Sequence, residues 1–423
     1  METVYFHGTN FKIIRMLRNK FLSGVLLMFT LTSYAQHPFK YDNTVYKAVY
    51  LIEAFRIMDT MQSYLLLDVR SPGEYADTSR ATALNIGRIK GSVNITSDSV
   101  SARLPELKKY IDKPIFIYCS HSQRSRRISK LLAENGFRQV YNINGGMTLV
   151  NELDAAEFPY KNKYLITNLA YKNINSSEAY HLIKETPGLV IIDIRTEAEF
   201  ASKDSVQQNN IGHLKNAINI SQAQFAEKFD SYRIPPGSPI LVYDQKGYNS
   251  MDVVDILKAK GFNQIYNLFE GLEVFISSYE LNKGEINSVV TNPPPFQILD
   301  TKECIELLQQ SKELVILDTR SADEFQNKAS MSHMNLGRIK GSVNIPTLAS
   351  LNGQLNTKSP STHFLVYGSG SDLGTLVCQE LVKKGFKHVY YLGPGLYRFV
   401  WSTANIKDCK TGRDFLTDHE GLY

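Results

Sequence analysis

The sequence is poor in cysteine, nearly balanced in charge and, past its first 35 residues, free of long apolar runs. Each shortage excludes something. Its four cysteines, Cys119, Cys304, Cys378 and Cys409, include no Cys-x-x-Cys pair, so neither a zinc ribbon nor a thioredoxin-type motif is present. The last three fall in the final third, where at most one disulfide forms among them; ordinary helix or tail residues are the alternative. The formal net charge is +5, and Lys12, Arg15, Arg18 and Lys20, set against Glu2, carry most of it. The remainder is too weakly basic to argue for nucleic acid or an acidic membrane. No stretch after the N-terminus is long and apolar enough to cross a bilayer. There is no metal-ligand cluster and no nucleotide-binding loop, so no cofactor is inferred.

What is present suits a folded, soluble chain of several domains. At 43% hydrophobic and 21% charged the composition is ordinary for globular proteins, and 423 residues suit three domains. Residues 1–35 read as an export signal. Arg18 and Lys20 start it, Phe21 to Leu31 are largely apolar, and Ser33 and Ala35 place small residues before a cut that leaves Gln36 first. The apolar run is short for a membrane span. Met16 offers a second start with a compact basic segment. The expected location is periplasmic or secreted, with no membrane attachment after cleavage.

Internal repetition organises the rest. LLLDVRSPGEY from Leu65, VIIDIRTEAEF from Val190 and VILDTRSADEF from Val315 place Asp68, Asp193 and Asp318 at intervals of 125 residues. NIGRIKGSVNI from Asn85 returns as NLGRIKGSVNI from Asn335 and, more loosely, as NIGHLKNAINI from Asn210. The apolar strands IFIYC, ILVYD and FLVYG end at Cys119, Asp244 and Gly368, and a Gly-Phe pair and another short strand follow each. A period this long suits a whole domain. Apolar runs such as Leu65–Leu67 and Ile115–Tyr118 suggest strands buried on both faces, and Ser125–Asn135 carries a helical pattern. Ser176 or Ser177 is placed to cap the opening helix of the middle unit, and Asp300 or Thr301 that of the last. The fold class is α/β, with a mainly parallel sheet flanked by helices in each unit. The expected bounds are 37–160, 161–285 and 296–423. Linkers are expected near 155–170 and 283–297, the second stiffened by Pro293-Pro294-Pro295.

Together these motifs resemble the rhodanese family, three times over and across nearly all of the chain past residue 36. The resemblance rests on the Asp-x-Arg strand end, the G-R-I-K-G-S-V-N-I segment, and Cys119-Ser120-His121-Ser122-Gln123-Arg124, which matches a six-residue C-x4-R loop. It implies three tandem rhodanese-like domains and a sulfurtransferase. Cys119 and Arg124 are implied as catalytic, with Ser120, His121, Ser122, Gln123 and Ser125 lining the substrate site. Where Ser122 stands, family loops often have glycine. The middle unit has Asp244 and Asn249 in place of the cysteine and arginine, and the third has Gly368 and Leu373, so neither forms a persulfide there.

Sulfur transfer needs a thiolate that attacks a sulfane sulfur and holds it as Cys–S–S⁻, and both forms are anionic. A loop between a strand end and a helix N-terminus turns backbone N–H groups and the helix dipole toward such a charge. Arg124 offers a donor fork suited to thiosulfate oxygens. Arg126 and Arg127 attract an anionic donor or are solvated helix charges. Asp68 and Arg70, repeated in units without the cysteine, read as structural, and Gly87 and Gly91 as turn residues. The expected partners are a small anionic sulfur donor and an acceptor such as cyanide or a protein thiol. A phosphatase or arsenate reductase resembles C-x5-R instead, and Ser125 stands where its arginine would be. A scaffold role is the remaining alternative, since two of three units lack the nucleophile.

Overall fold

The computed structural model describes residues 46–310, 313–369 and 372–419, so the expected signal segment and its cut at Ala35/Gln36 lie outside the described residues. Three five-stranded, all-parallel sheets follow one another along the chain. In the first, the strand order is Lys47–Val49, Val140–Ile143, Ile115–Tyr118, Leu65–Asp68 and Val93–Asn94. The second and third repeat this order around Ile240–Tyr243 and His363–Tyr367. The central strand of the first sheet is wholly buried, because helices cover both faces. On one face Ile115, Ile117 and Cys119 pack with Ile128 and Leu132 of the helix Gln123–Glu134.

The other face joins the first domain to the third. A single apolar cluster runs from Phe55, Phe116 and Met147 to Leu299, Phe399 and Trp401. At the junction of all three domains Arg398 binds Glu152 at 2.7 Å, lies 3.9 Å from Glu270 and stacks 4.3 Å from the Trp401 ring. One ionisable residue thus comes from each domain.

The linkers are structured, and this differs from expectation. Residues Lys161–Tyr164 form a helical turn, and Leu165–Ile166 pair antiparallel with Arg88–Ile89. The helix Lys283–Val289 leads likewise into Val290–Thr291, which pairs with His213–Leu214. The third domain ends the same way, with Leu416–Thr417 on Arg338–Ile339. The first two domains therefore reach residues 166 and 291, past the expected 160 and 285. Packing is the reason: Phe158, Tyr160 and Tyr164 close on Phe55, a contact invisible in local sequence. The cap of the middle domain's opening helix also differs. Asn175, one residue before the expected serines, accepts from the Glu178 amide while Glu178 returns to the Asn175 amide. In the third domain Asp300 caps through the Glu303 amide.

Candidate active site

The central strand carries Cys119 to its C-terminal end, where the residue is 1% exposed. The chain then turns through Ser122, at φ +70°, into the helix beginning at Gln123. Gly146 crosses beneath, at φ +56°, and an added Cβ would overlap the Cys119 carbonyl oxygen. That carbonyl accepts from the Met147 amide at 3.0 Å, and the Ser120 carbonyl from Thr148 at 3.0 Å. The Ser122 hydroxyl accepts from the Gly145 amide at 2.6 Å and donates to Ile143 O at 3.3 Å. The Ser125 hydroxyl lies 2.6 Å from Asn142 Oδ1, and Ser120 Oγ accepts from Arg124 at 2.9 Å. These hydroxyls serve the loop itself, so backbone N–H groups are what Ser122 and Ser125 leave for an anion.

The middle domain displays what such a loop binds. The Asp244 carboxylate stands where Cys119 does and accepts from the amides of Lys246 at 2.7 Å, Asn249 at 2.5 Å, Ser250 at 2.8 Å, and Gly247. The two loops share a frame. Gly247 has φ +71° against +70° for Ser122, and Ser250 binds Asn267 as Ser125 binds Asn142. The corresponding first-domain amides are those of His121, Ser122, Arg124 and Ser125. The last two belong to the first helical turn, where amides have no intrahelical acceptor. In the third domain Gly368 occupies the strand end and its carbonyl accepts from Leu396 at 2.9 Å; residues 370 and 371 lie outside the described residues.

Arg124 closes the loop, but its fork is already engaged. It binds Glu74 through both terminal nitrogens, at 2.7 and 2.6 Å, and a negative charge on Cys119 would favour its charged form further. Burial alone would raise the Glu74 pKa; the Arg124 pair and the Ser71 amide overcome it and bring the carboxyl down to about 2. Burial opposes the Arg124 charge, and Glu74 and Cys119 more than restore it, so its pKa is raised. Sequence reading missed Glu74. The available signal is the capping box Ser71-x-x-Glu74, repeated as Thr196/Glu199 and Ser321/Glu324, which starts a short helix after the Asp-x-Arg strand end in every domain.

Arg126 and Arg127 part ways. Arg126 is fully buried and binds Asn144 at 2.9 Å and Asn405 of the third domain at 3.2 Å, so it is neither a donor attractor nor a solvated charge. Arg127 is half-exposed and bonds to Ser97 and Asp98, each at 3.2 Å. Gln123 is partly exposed at the first helical position. The His121 side chain is exposed, while its carbonyl accepts from Trp401 Nε1 at 2.9 Å. Asp68 and Arg70 form a buried ion pair at 2.7 Å, and Arg70 also donates to Gly87 O at 2.8 Å. Asp193/Arg195 and Asp318/Arg320 repeat that pair. It ties the strand end to the glycine turn at Gly87, Gly212 and Gly337 whether or not a cysteine is present.

The helical segments that follow the other two loops each contact a preceding domain. Asp252, just past the middle loop, accepts from Thr82 of the first domain at 3.1 Å. In the third domain Gln379 of the helix Asp372–Lys383 donates to Gln207 of the second at 3.3 Å. All four cysteines are free and buried. Burial pushes the Cys304 and Cys378 thiols up, and the Cys409 thiol to about 12. No shift of that kind sets Cys304, Cys378 or Cys409 up as a nucleophile. Among the described residues no three His, Cys, Asp or Glu side chains stand together as a metal site, and no helix is long and apolar enough to cross a membrane.

The rhodanese-like domain model matches residues 53–152, 176–278 and 300–400. The chain belongs to the rhodanese-like family. Its first two sheets and the third correspond to these matches in order. The thiosulfate sulfurtransferase GlpE of Coxiella burnetii is 32% identical over 122 residues, 28% of this chain and all of that protein. An uncharacterised protein, YqhL of Bacillus subtilis, is 36% identical over 81 residues, 19% of this chain and 56% of that protein. Among solved structures, EanB shares 14% identity with 87% of this chain and 98% of its own covered, at a TM-score of 0.25. Rhodanese-like proteins of this family include named sulfurtransferases, and it is at that level that the comparison supports sulfur transfer.

Proposed function

We propose that the first rhodanese-like domain moves a sulfane sulfur from an anionic donor such as thiosulfate to a thiophilic acceptor, cyanide or a thiol, through a persulfide on Cys119. The Cys119 thiolate attacks the outer sulfur of thiosulfate, and the donor's S–S bond breaks with its electron pair leaving on sulfite. The terminal sulfur then sits as Cys–S–S⁻ amid the loop amides. An acceptor nucleophile attacks that sulfur, and the second S–S cleavage returns the electron pair to Cys119 as thiolate. Arg124 stabilises charge at the loop edge throughout. The observation that carries this reading is the occupied middle loop: a loop of the same length and the same left-handed turn, with Asp244 in place of the cysteine, holds an anion on four backbone amides. Mass spectrometry of the full chain after thiosulfate treatment tests it. A gain of one sulfur atom on the peptide carrying Cys119, removed by cyanide, is expected. An unmodified Cys119 would refute it.

A binding or scaffold role suits the other two domains, because Asp244 already fills its own loop and Gly368 offers no side chain. Phosphate-ester chemistry is disfavoured by the six-residue loop, with Ser125 buried and bonded to Asn142 where a longer loop places its arginine. We further propose export to the periplasm or medium on the strength of the basic and apolar N-terminal pattern; N-terminal sequencing from the native host should find Gln36 at or near the start.

A further inference from the structure

The third domain reaches the first domain's loop through one helix, Gly395–Asn405. Two of its residues, one turn apart, touch the loop's frame. Trp401, the sole tryptophan of the chain, donates its indole N–H to the carbonyl of His121 at 2.9 Å. Asn405 donates to the Trp401 carbonyl at 2.8 Å, which fixes its amide so that Oδ1 faces the first domain. That oxygen accepts from the Gly145 amide at 3.0 Å and from Arg126 Nη1 at 3.2 Å. Asn144 returns a bond to Ala404 O at 3.2 Å, and Asn405, Arg126 and Ser122 are all fully buried. The Gly145 amide also binds Ser122 Oγ, so Asn405 and the turn residue of the loop share one donor.

The covalent geometry gives these contacts a chemical consequence. The His121 carbonyl and the Ser122 N–H are two ends of one planar peptide. The Ser122 amide corresponds to that of Gly247, one of the groups holding the Asp244 carboxylate in the middle loop. A donor on the carbonyl end orients the plane and polarises its N–H.

We propose that Trp401 and Asn405 of the third domain are positioning residues for sulfur transfer, holding the His121–Ser122 peptide so that its N–H faces the Cys119 sulfur. The degenerate third domain is thereby a working part of the first domain's site. This rests on the sulfurtransferase reading for its purpose, but not for its test.

The test measures alkylation of Cys119 against pH in the full chain, by peptide mapping, beside persulfide formation from thiosulfate. Trp401→Phe keeps the ring over Arg398 and removes the N–H; Asn405→Leu removes the acceptor. One lost hydrogen bond of about 1 kcal/mol corresponds to roughly a fivefold effect and half a pH unit or more. Both variants should move the Cys119 profile to higher pH by about that amount and slow persulfide formation about fivefold. A merely structural role would lower the melting temperature and leave the profile in place; a Trp401→Phe profile that superimposes on the wild type overturns the proposal. Should Asn405→Leu not fold, Trp401→Phe alone decides. If the wild type takes no sulfur, the sulfurtransferase reading fails while the alkylation profile still judges the positioning.

Discussion

Arg124 lays both terminal nitrogens of its guanidinium on the Glu74 carboxylate, at 2.7 and 2.6 Å. An arginine expected to grip an anionic donor therefore already grips an anion, and a donor must share it. Glu74→Gln keeps the shape and most cap contacts but releases the charge. The Michaelis constant for thiosulfate should fall several-fold. Stability should drop by roughly 1–3 kcal/mol at neutral pH, since Arg124 loses a charged partner. The pH dependence has a definite sign. Glu74 titrates near 2 when folded and in the usual carboxylate range when unfolded, so its contribution is present above that range and is lost as pH falls toward 2. Urea denaturation should show wild type and Glu74→Gln converging between about pH 5 and pH 2.

Cys119→Ser should abolish sulfur transfer and leave the melting temperature within a few degrees, because the hydroxyl occupies nearly the same space without forming a persulfide. Arg124→Ala should weaken donor binding and slow persulfide formation, and Arg124→Lys should rescue only partly, lacking the planar fork. Identical steady-state kinetics across these arginine variants would rule Arg124 out of donor handling.

The middle loop makes a sharper case. Asp244→Cys in a Cys119→Ser background supplies a nucleophile but leaves Asn249 where a cation is needed, and Tyr248 is a bulky neighbour, 61% exposed. It should be nearly inactive, and adding Asn249→Arg should raise persulfide formation measurably. Removing the carboxylate also strips four amides of their acceptor, so either variant should lose about 2–4 kcal/mol of stability. A single substitution as active as the first domain would show that the amides alone suffice.

Gly146→Ala should be among the most damaging small changes in the chain. The added methyl meets the backbone of Cys119 and Ser120 at a left-handed φ of +56°. A loss of more than about 3 kcal/mol is expected, with Cys119 becoming freely alkylated as the loop opens. Wild-type melting and alkylation would contradict the close crossing.

The junction of the three domains should respond to alkali. Burial, then the Glu152 carboxylate, push the Glu270 carboxyl up to about 8 against the pull of Arg398. A carboxyl raised on folding stabilises below its unfolded range, and that contribution is lost as pH rises through about 8. Glu152, Arg398 and Tyr248 are the charged or titratable groups interacting with it. Glu270→Gln should remove the decline, so that denaturation midpoints at pH 5.5 and 8.5 (about 1.2 and 4.2 units above the unfolded carboxyl) differ less than in the wild type.

Much of the architecture was legible in the sequence because it is written in local terms. Three copies of a strand ending in Asp-x-Arg, and three apolar strands ending at Cys119, Asp244 and Gly368, specify parallel sheets and the place of the loop through side-chain burial and period alone. The C-x4-R spacing and the change to Asp244 likewise need no coordinates, since loop length and charge are properties of the chain. The closing strands at 165–166 and 290–291 were hidden inside apparent linkers, because two-residue pairings carry no periodic signal.

Tertiary structure alone decided how the loop is supported. Glu74 meets Arg124 across 50 residues, Trp401 meets His121 across 280, and Asn405 meets Arg126 across 279. No local rule distinguishes a buried Arg126 from the half-exposed Arg127 beside it; only the third domain's helix, packed against the first domain's core, removes one from water and leaves the other in it. Spacing and residue type in the sequence marked Cys119 and Arg124 as the candidates for the chemistry. Packing between distant segments determined which of them are free to act, because desolvation and hydrogen-bond geometry exist only once those segments meet.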